Sequence, residues 1–257
     1  MLLAPTTITR LEKAAVDNGF DRDLGRHGDW LAFASTRAPL EIWLSAIGDA
    51  LFLVALSQEN VARALADHGS TWISPLPDGA AAGRSVGDLP ALHRLVRQAF
   101  QLSKTLPDEL FRAFAKETAA LPRSTEAERL VIQRVGQDHF RAGLLEYWEE
   151  RCAITGLGVA DLLRASHIKP WSDCAIDAER LDVFNGLLLA PHLDAAFDRG
   201  YFTVEDDGVV VVSGLLNDLE RQQLGLDVSL RVRRLADGHR GYLQWHREKV
   251  FRRPAGR

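Results

Sequence analysis

The spacing of apolar and polar positions divides the chain into short elements of both kinds. Residues 8–18 (ITRLEKAAVDN) repeat their apolar positions at three- and four-residue intervals, which predicts a helix. Residues 30–35, 40–47 and 51–56 are apolar runs of strand length, and the Gly48-Asp49 pair suits a tight hairpin between the last two. Residues 58–67 return to helical spacing. The stretch 75–90 is dense in glycine and proline and predicts a loop. Amphipathic helices are expected at about 91–103 and 107–119, with a boundary at Leu121-Pro122. Beyond it, Thr125-Glu126-Ala127-Glu128 fits a capping box. Residues 137–148 carry Phe140, Leu144, Leu145 and Trp148 at helical spacing.

The pattern continues with a strand-like patch at 165–168 that contains His167. Asn185-Gly186 reads as a turn feeding a second strand at 187–190, and Pro191 suits the first turn of a helix over 191–197. One hairpin is expected over 201–205 and 209–213, a helix over 215–224, and a second hairpin from 229–235 and 241–245 around Asp237-Gly238. The fold class is α+β. An N-terminal module at 1–120 is expected to serve target recognition or dimerisation, with a second module at 121–257.

Composition narrows the class. The 257 residues are 46% hydrophobic and 26% charged, which is globular and excludes a disordered chain, a collagen-like repeat and a coiled-coil rod. No apolar run approaches the ~18 residues needed to span a bilayer, and the N-terminus lacks the pattern of a signal peptide. No membrane partner is expected, and the localisation expected is cytoplasmic. Two cysteines, Cys152 and Cys174, cannot alone make a disulfide framework or a four-cysteine zinc site. Residues 231–257 hold nine Lys/Arg against two acidic residues, a local +7, so the remainder carries −11 of the net −4. A basic end on an acidic body suits a polyanion partner, or simply a solvated surface.

In the first module, His27, His68 and His93 have no thiol or carboxylate partner at ligand spacing and read as surface or core residues. Trp30, Trp43 and Trp72 could stack a flipped base, but tryptophans of a small domain more often fill its core. In the second module, Asp194 and Asp198 stand at i and i+4, so both carboxylates can face one hard cation, while His192 faces elsewhere. A neutral His167 can take a proton from an attacking water, and an Asn185 side chain can brace the loop. A cation, a base and a brace are the parts for phosphodiester hydrolysis. A Ser-His hydrolase on Ser166 and His167 fails, because adjacent strand residues point to opposite faces.

The string Ser166-His167-Ile168-Lys169-Pro170-Trp171, then Arg180, Asn185-Gly186-Leu187-Leu188-Leu189, Asp194 and Phe197-Asp198-Arg199-Gly200 resembles the HNH endonucleases. With the lead-in residues 136–141 and 151–156 and the closing residues 242–247, it is similar to the branch found in modification-dependent restriction enzymes. The resemblance covers about 125–253, with its core at about 151–200. It implies a ββα-metal fold with one divalent ion, Mg²⁺ or Mn²⁺. It implies His167 as general base, Asn185 as the residue holding the catalytic loop, and 5′-phosphate and 3′-hydroxyl products. Asp194 and Asp198 match metal-ligand positions. Ser166 replaces the Asp or His that many members carry, so the ion would rest on Asp194 with Asp198, with His192, or with a backbone carbonyl, in that order. The cysteine pairs of zinc-stapled members are missing, which argues against a structural zinc. Trp171, Phe184 and Phe197 are then candidates for the core.

The implied function is a metal-dependent DNA endonuclease in restriction or defence, with Arg231, Arg233 and Arg247 as phosphate contacts and a homodimer as one route to double-strand cleavage. The alternatives are a nucleic-acid-binding protein with a decayed site, and a ligand-activated antiphage effector nuclease.

Overall fold

The computed structural model describes residues 3–48, 50–73, 75–119, 121–122 and 126–254, the side chains of 107–109 and 126–129 excepted. The expected capping box and the Asp49 half of the expected hairpin turn lie outside those residues. The chain divides into two compact units, Met1–Lys104 and Thr105–Arg257.

The first unit opens with α1 (Pro5–Val16), started by a proline in its first turn. The strands β1 (Arg22–His27), β2 (Trp30–Ala34), β3 (Glu41–Ile47) and β4 (Leu51–Leu56) follow, then α2 (Glu59–Ala64), β5 (Ser70–Trp72), β6 (Ala82–Val86) and α3 (Leu89–Thr105). The strands form one antiparallel sheet in the order β1-β2-β3-β4-β6-β5. Register pairs Leu31 with Leu44 and Phe33 with Ile42, and then Ile42 with Leu56 and Leu44 with Val54. Because side chains alternate along a strand, these buried residues share one face. The opposite face carries Ala32, Trp43 and Ala55, with Trp30, Leu76 and Ala80 packed against them. Trp43 is therefore core. Trp30, packed on that cluster, and Trp72 also line a cavity of about 430 Å³.

Three strands, β1, β5 and β6, escape the hydrophobic pattern. All six residues of β1 are exposed, so nothing in its composition marks it. The stretch expected to be a loop contains β6, which pairs with both β4 and β5. Gly83 suits that position, because a Cβ there would lie 2.8 Å from Leu76 Cδ2 and 3.0 Å from the Trp72 carbonyl. Arg84 is buried and satisfied, donating from Nη2 to the Ala62 carbonyl at 2.8 Å.

The second unit begins with α4 (Pro107–Thr118) and α5 (Glu126–Tyr147), and continues with β7 (Arg164–His167), α6 (Asp177–Arg180), β8 (Gly186–Leu189) and α7 (Pro191–Asp198). It closes with β9 (Phe202–Val204), β10 (Val210–Val212), α8 (Asp218–Gln223) and α9 (Asp237–Lys249). The boundary between the units falls ahead of α4, not at residue 120. Leu110 of α4 packs on Gly143 of α5, where a Cβ would meet its Cδ1 at 2.6 Å, so α4 belongs to the second core.

The hairpin expected around Asp237-Gly238 is absent, and α9 stands there instead. Its buried positions are His239, Leu243 and His246, a helical spacing that a hydrophobic reading misses because two of the three are histidines. Gly238 lies in the first turn of α9, pressed against Phe184, with room for no Cβ: its nearest neighbour would be 2.5 Å away. Residue 231 makes only a single bridge to Val209.

Candidate active site

The floor of the site is the β7–β8 hairpin, with Ser166 opposite Leu187 and His167 opposite Gly186. β8 is buried along its whole length. Gly186 is extended (φ −149°, ψ 148°) and is not a turn residue. It is needed for another reason. A Cβ there would lie 2.5 Å from Phe140 Cζ and 2.7 Å from Leu144 Cδ1. Glycine thus lets α5 lie directly on the hairpin. That contact sets the Phe140 ring flat over the His167 imidazole, with centroids 3.7 Å apart and planes 15° from parallel. Arg141, the next residue of α5, donates to the carbonyls of Leu163 (2.6 Å) and Ala160 (3.0 Å), fixing the chain where it enters β7.

His167 Nε2 lies 2.9 Å from the Arg180 carbonyl. A carbonyl only accepts, so Nε2 carries the proton and Nδ1 is left as the basic nitrogen. Burial pushes the imidazole pKa down to about 4, against the raising effect of the Arg180 bond. The ring is therefore neutral at physiological pH and able to accept a proton. Asn185 is fully buried and holds that arrangement. Its Oδ1 accepts from the Lys169 amide at 2.8 Å, and its Nδ2 donates to the carbonyls of Lys169 and Glu179, both at 3.1 Å. The segment after His167 is thus stitched to the residue just before Arg180, whose carbonyl orients the imidazole. Cys174 is a buried free thiol beside Asn185 Nδ2, and Cys152 is likewise buried and free.

Pro191 opens α7 after an extended Ala190, and the helix then runs with Leu193, Ala196 and Phe197 buried. That phase turns Asp194 and Asp198 to a common cavity of about 410 Å³, shared with Arg164, Ser166, His167, Trp171 and His246. Asp198 is exposed as a residue, but its Oδ1 turns in to accept the Ser166 hydroxyl at 3.1 Å. Burial is the main cause that pushes both carboxyls above their usual range. For Asp198 the neighbouring Asp194 charge adds to it, and the Ser166 hydroxyl partly offsets it in both. Two mutually repelling oxygen donors in one cavity fit a hard divalent cation. Among the described residues, no three His, Cys, Asp or Glu side chains gather into a complete ligand set. A cation here would take its two carboxylates from α7 and complete its shell with water and phosphate oxygens, as Mg²⁺ commonly does.

The structure thus brings His167, Asp194 and Asp198 to one cavity, with Asn185 behind it. His192 is exposed at the start of α7 and does not line the cavity. The expected phosphate-binding arginines do not line it either. Arg231 donates to the Asp207 carbonyl and lies 3.4 Å from its carboxylate. Arg247, with 15% of its side chain exposed, donates to the Val204 carbonyl and to Asp206 Oδ1, each at 2.7 Å. Arg233 is exposed and lies over Gly156. Three cavity residues escaped the sequence reading: Arg164, Trp171 as a site residue, and His246. Arg164 could have been found from its i, i+2 relation to Ser166 on β7. His246 falls in the closing stretch 242–247 that carries the resemblance, but the hairpin expected there hid the helical phase that turns it to the cavity.

No curated protein matches the chain. The family model HNH_2, described as HNH endonuclease, matches residues 152–205, a span running from Cys152 through the hairpin and α7 to the end of β9. The fold is α+β with an HNH domain in its C-terminal part.

Proposed function

We propose that the protein is a divalent-metal-dependent DNA endonuclease of restriction or defence, cutting by hydrolysis to leave 5′-phosphate and 3′-hydroxyl ends. The observation that carries the reading is the imidazole of His167. It is neutral and held in one tautomer, and it shares a cavity with the Asp194 and Asp198 carboxylates. In this reading Nδ1 of His167 takes the proton of a water as its oxygen attacks phosphorus. Asp194 and Asp198 hold a Mg²⁺ or Mn²⁺ ion, which supplies charge stabilisation at the phosphate and the leaving oxygen. Asn185 keeps the 169–180 segment, and through it the imidazole, in place. Arg164, an exposed residue of the cavity wall whose charge also acts on Asp194, holds a phosphate oxygen. Arg231 and Arg233 contact flanking phosphates, and Arg247 contributes by fixing the β9–β10 hairpin. The first unit selects the target. One such site cuts one strand, so double-strand cleavage takes a homodimer or two successive nicks.

The test is plasmid nicking. Supercoiled DNA, unmodified and carrying modified cytosines, is incubated with the protein in Mg²⁺, Mn²⁺ or EDTA, beside His167→Ala. Metal-dependent nicking that disappears in the variant supports the nuclease, and cutting confined to modified DNA supports the restriction role. Nicking that persists in EDTA, or at full rate in His167→Ala, removes the assigned chemistry.

A further inference from the structure

His246 lies more than forty residues beyond the matched segment, yet it forms part of the cavity wall. The residue is 1% exposed. Its ring stacks flat on Phe197 of α7, with centroids 3.9 Å apart and planes 1° from parallel. Nε2 lies 3.1 Å from the Phe197 carbonyl and must be the donor to it. Nδ1 is then an acceptor, and the Thr203 hydroxyl donates to it at 3.0 Å. One imidazole therefore joins α9, the last turn of α7 and strand β9. Phe197 immediately precedes Asp198, and its carbonyl, in the last turn of α7, accepts the Gly200 amide at 2.8 Å as well as the His246 ring N–H. The chain beyond His246 tightens the same junction. Arg252 donates its amide to the Gly200 carbonyl at 2.9 Å, and Ser213 donates its hydroxyl to the Arg252 carbonyl at 2.6 Å. Gly200 has φ +70° and abuts the Val250 carbonyl so closely that a Cβ would lie 2.0 Å from it.

We infer that His246 is a positioning residue for the carboxylate pair. It fixes the end of α7, and with it Asp198 and Asp194, at the separation that a divalent cation needs. This rests on the nuclease reading for the role of the cation. The role belongs to the hydrogen bonds rather than to bulk, which separates it from simple packing. Phenylalanine at 246 would keep the stack and lose both bonds. Glutamine would restore a donor near the Nε2 position. Thr203→Val would remove only the hydroxyl.

The experiment measures Mn²⁺ affinity of the full-length protein by electron paramagnetic resonance, the Mn²⁺ concentration for half-maximal plasmid nicking, and Tm. The proteins are wild type, His246→Phe, His246→Gln, Thr203→Val and His167→Ala. We expect His246→Phe to weaken Mn²⁺ about tenfold and to raise the half-maximal concentration in parallel. Thr203→Val should weaken it about threefold, and His246→Gln should recover most of the loss. His167→Ala should bind Mn²⁺ as wild type does while failing to cut. A lower Tm with wild-type Mn²⁺ affinity in His246→Phe would make the residue merely structural and overturn the inference. If His246→Phe does not fold, unchanged affinity in Thr203→Val overturns it equally. Wild-type protein that neither binds Mn²⁺ nor nicks DNA would remove the nuclease reading together with this one. Wild-type cutting beside unaffected variants would remove this one alone.

Discussion

Lowering the pH from 7 to 5 should selectively loosen the second unit. Three of its histidines, His167, His239 and His246, have pKa values pushed down to about 4, in each case chiefly by burial. In the unfolded chain each returns to an ordinary value near 6.5. Between those values the unfolded state binds more protons, so stability is complete above about pH 6.5 and falls as the pH drops toward 4. By this linkage each histidine costs just under about 2 kcal/mol between pH 7 and pH 5, or between about 5 and 6 kcal/mol for the three. Asp182 acts in the opposite sense. Its carboxyl, bonded to Tyr242 and the Phe184 amide, is pushed up to about 6 by burial, so protonation relieves a cost as the pH falls. That returns about 1 kcal/mol, leaving a net loss of roughly 4 kcal/mol, a large part of a domain's usual stability. Asp194 and Asp198, also pushed up, act in the same direction as Asp182. With a urea slope of about 2 kcal/mol per molar, the midpoint should move down by about 2 M. Hydrogen exchange read on peptides from 130–254 along a urea series at pH 7, 6 and 5 isolates this unit. His239→Leu, at a fully buried site ringed by Tyr147, Trp148 and Phe184, should remove about a third of the histidine contribution. A midpoint that moves by less than about 0.5 M would refute the linkage argument.

Asn185→Ala should abolish nicking and destabilise the unit by roughly 2–4 kcal/mol, because it strands the buried amide and carbonyls that Asn185 now satisfies; an unchanged urea midpoint would contradict this. Gly186→Ala should cost about 1–3 kcal/mol by driving a methyl into Phe140 and Leu144, with thermal melting as the check. Arg164→Ala should reduce the slope of log affinity against log salt for DNA by about 1, and a slope equal to wild type would remove Arg164 from the phosphate contacts. Arg247→Ala should leave that slope unchanged and lower Tm, since its guanidinium is already committed to Val204 and Asp206.

Much of the site was legible because its chemistry is local. The strand bearing His167, the helix bearing Asp194 and Asp198, and the i, i+4 phase that turns both carboxylates to one cavity all follow from short-range pattern. The β3–β4 hairpin was legible for the same reason, with Ile47 meeting Leu51 across the turn. What was not legible is long-range or polar. β1 pairs through its backbone while every side chain is exposed, so no hydrophobic signal exists to read. β6 looked like a loop because its glycine serves close packing rather than a turn. Asn185-Gly186 misled in the same way: Asn185 is a buried brace and Gly186 a gap for Phe140. Arg231 and Arg247 looked free because charge counting cannot see Asp207 and Asp206 folded back against them. Position α9 failed for the reason already visible in its buried histidines, which a hydropathy scale counts as surface.

The junction at Gly200 also has a consequence for order in time. The helix carrying Asp194 and Asp198 is synthesised before the residues that pin its end, His246 and Arg252, which follow dozens of positions later. At about 5–20 residues per second, translation leaves an interval of several seconds in which the hairpin and helix exist without their anchor. During that interval the cavity lacks the part of its wall that His246 and Val250 supply. The cavity therefore takes its final form only after residues 246–252 have been made, dozens of positions behind the helix that carries its carboxylates.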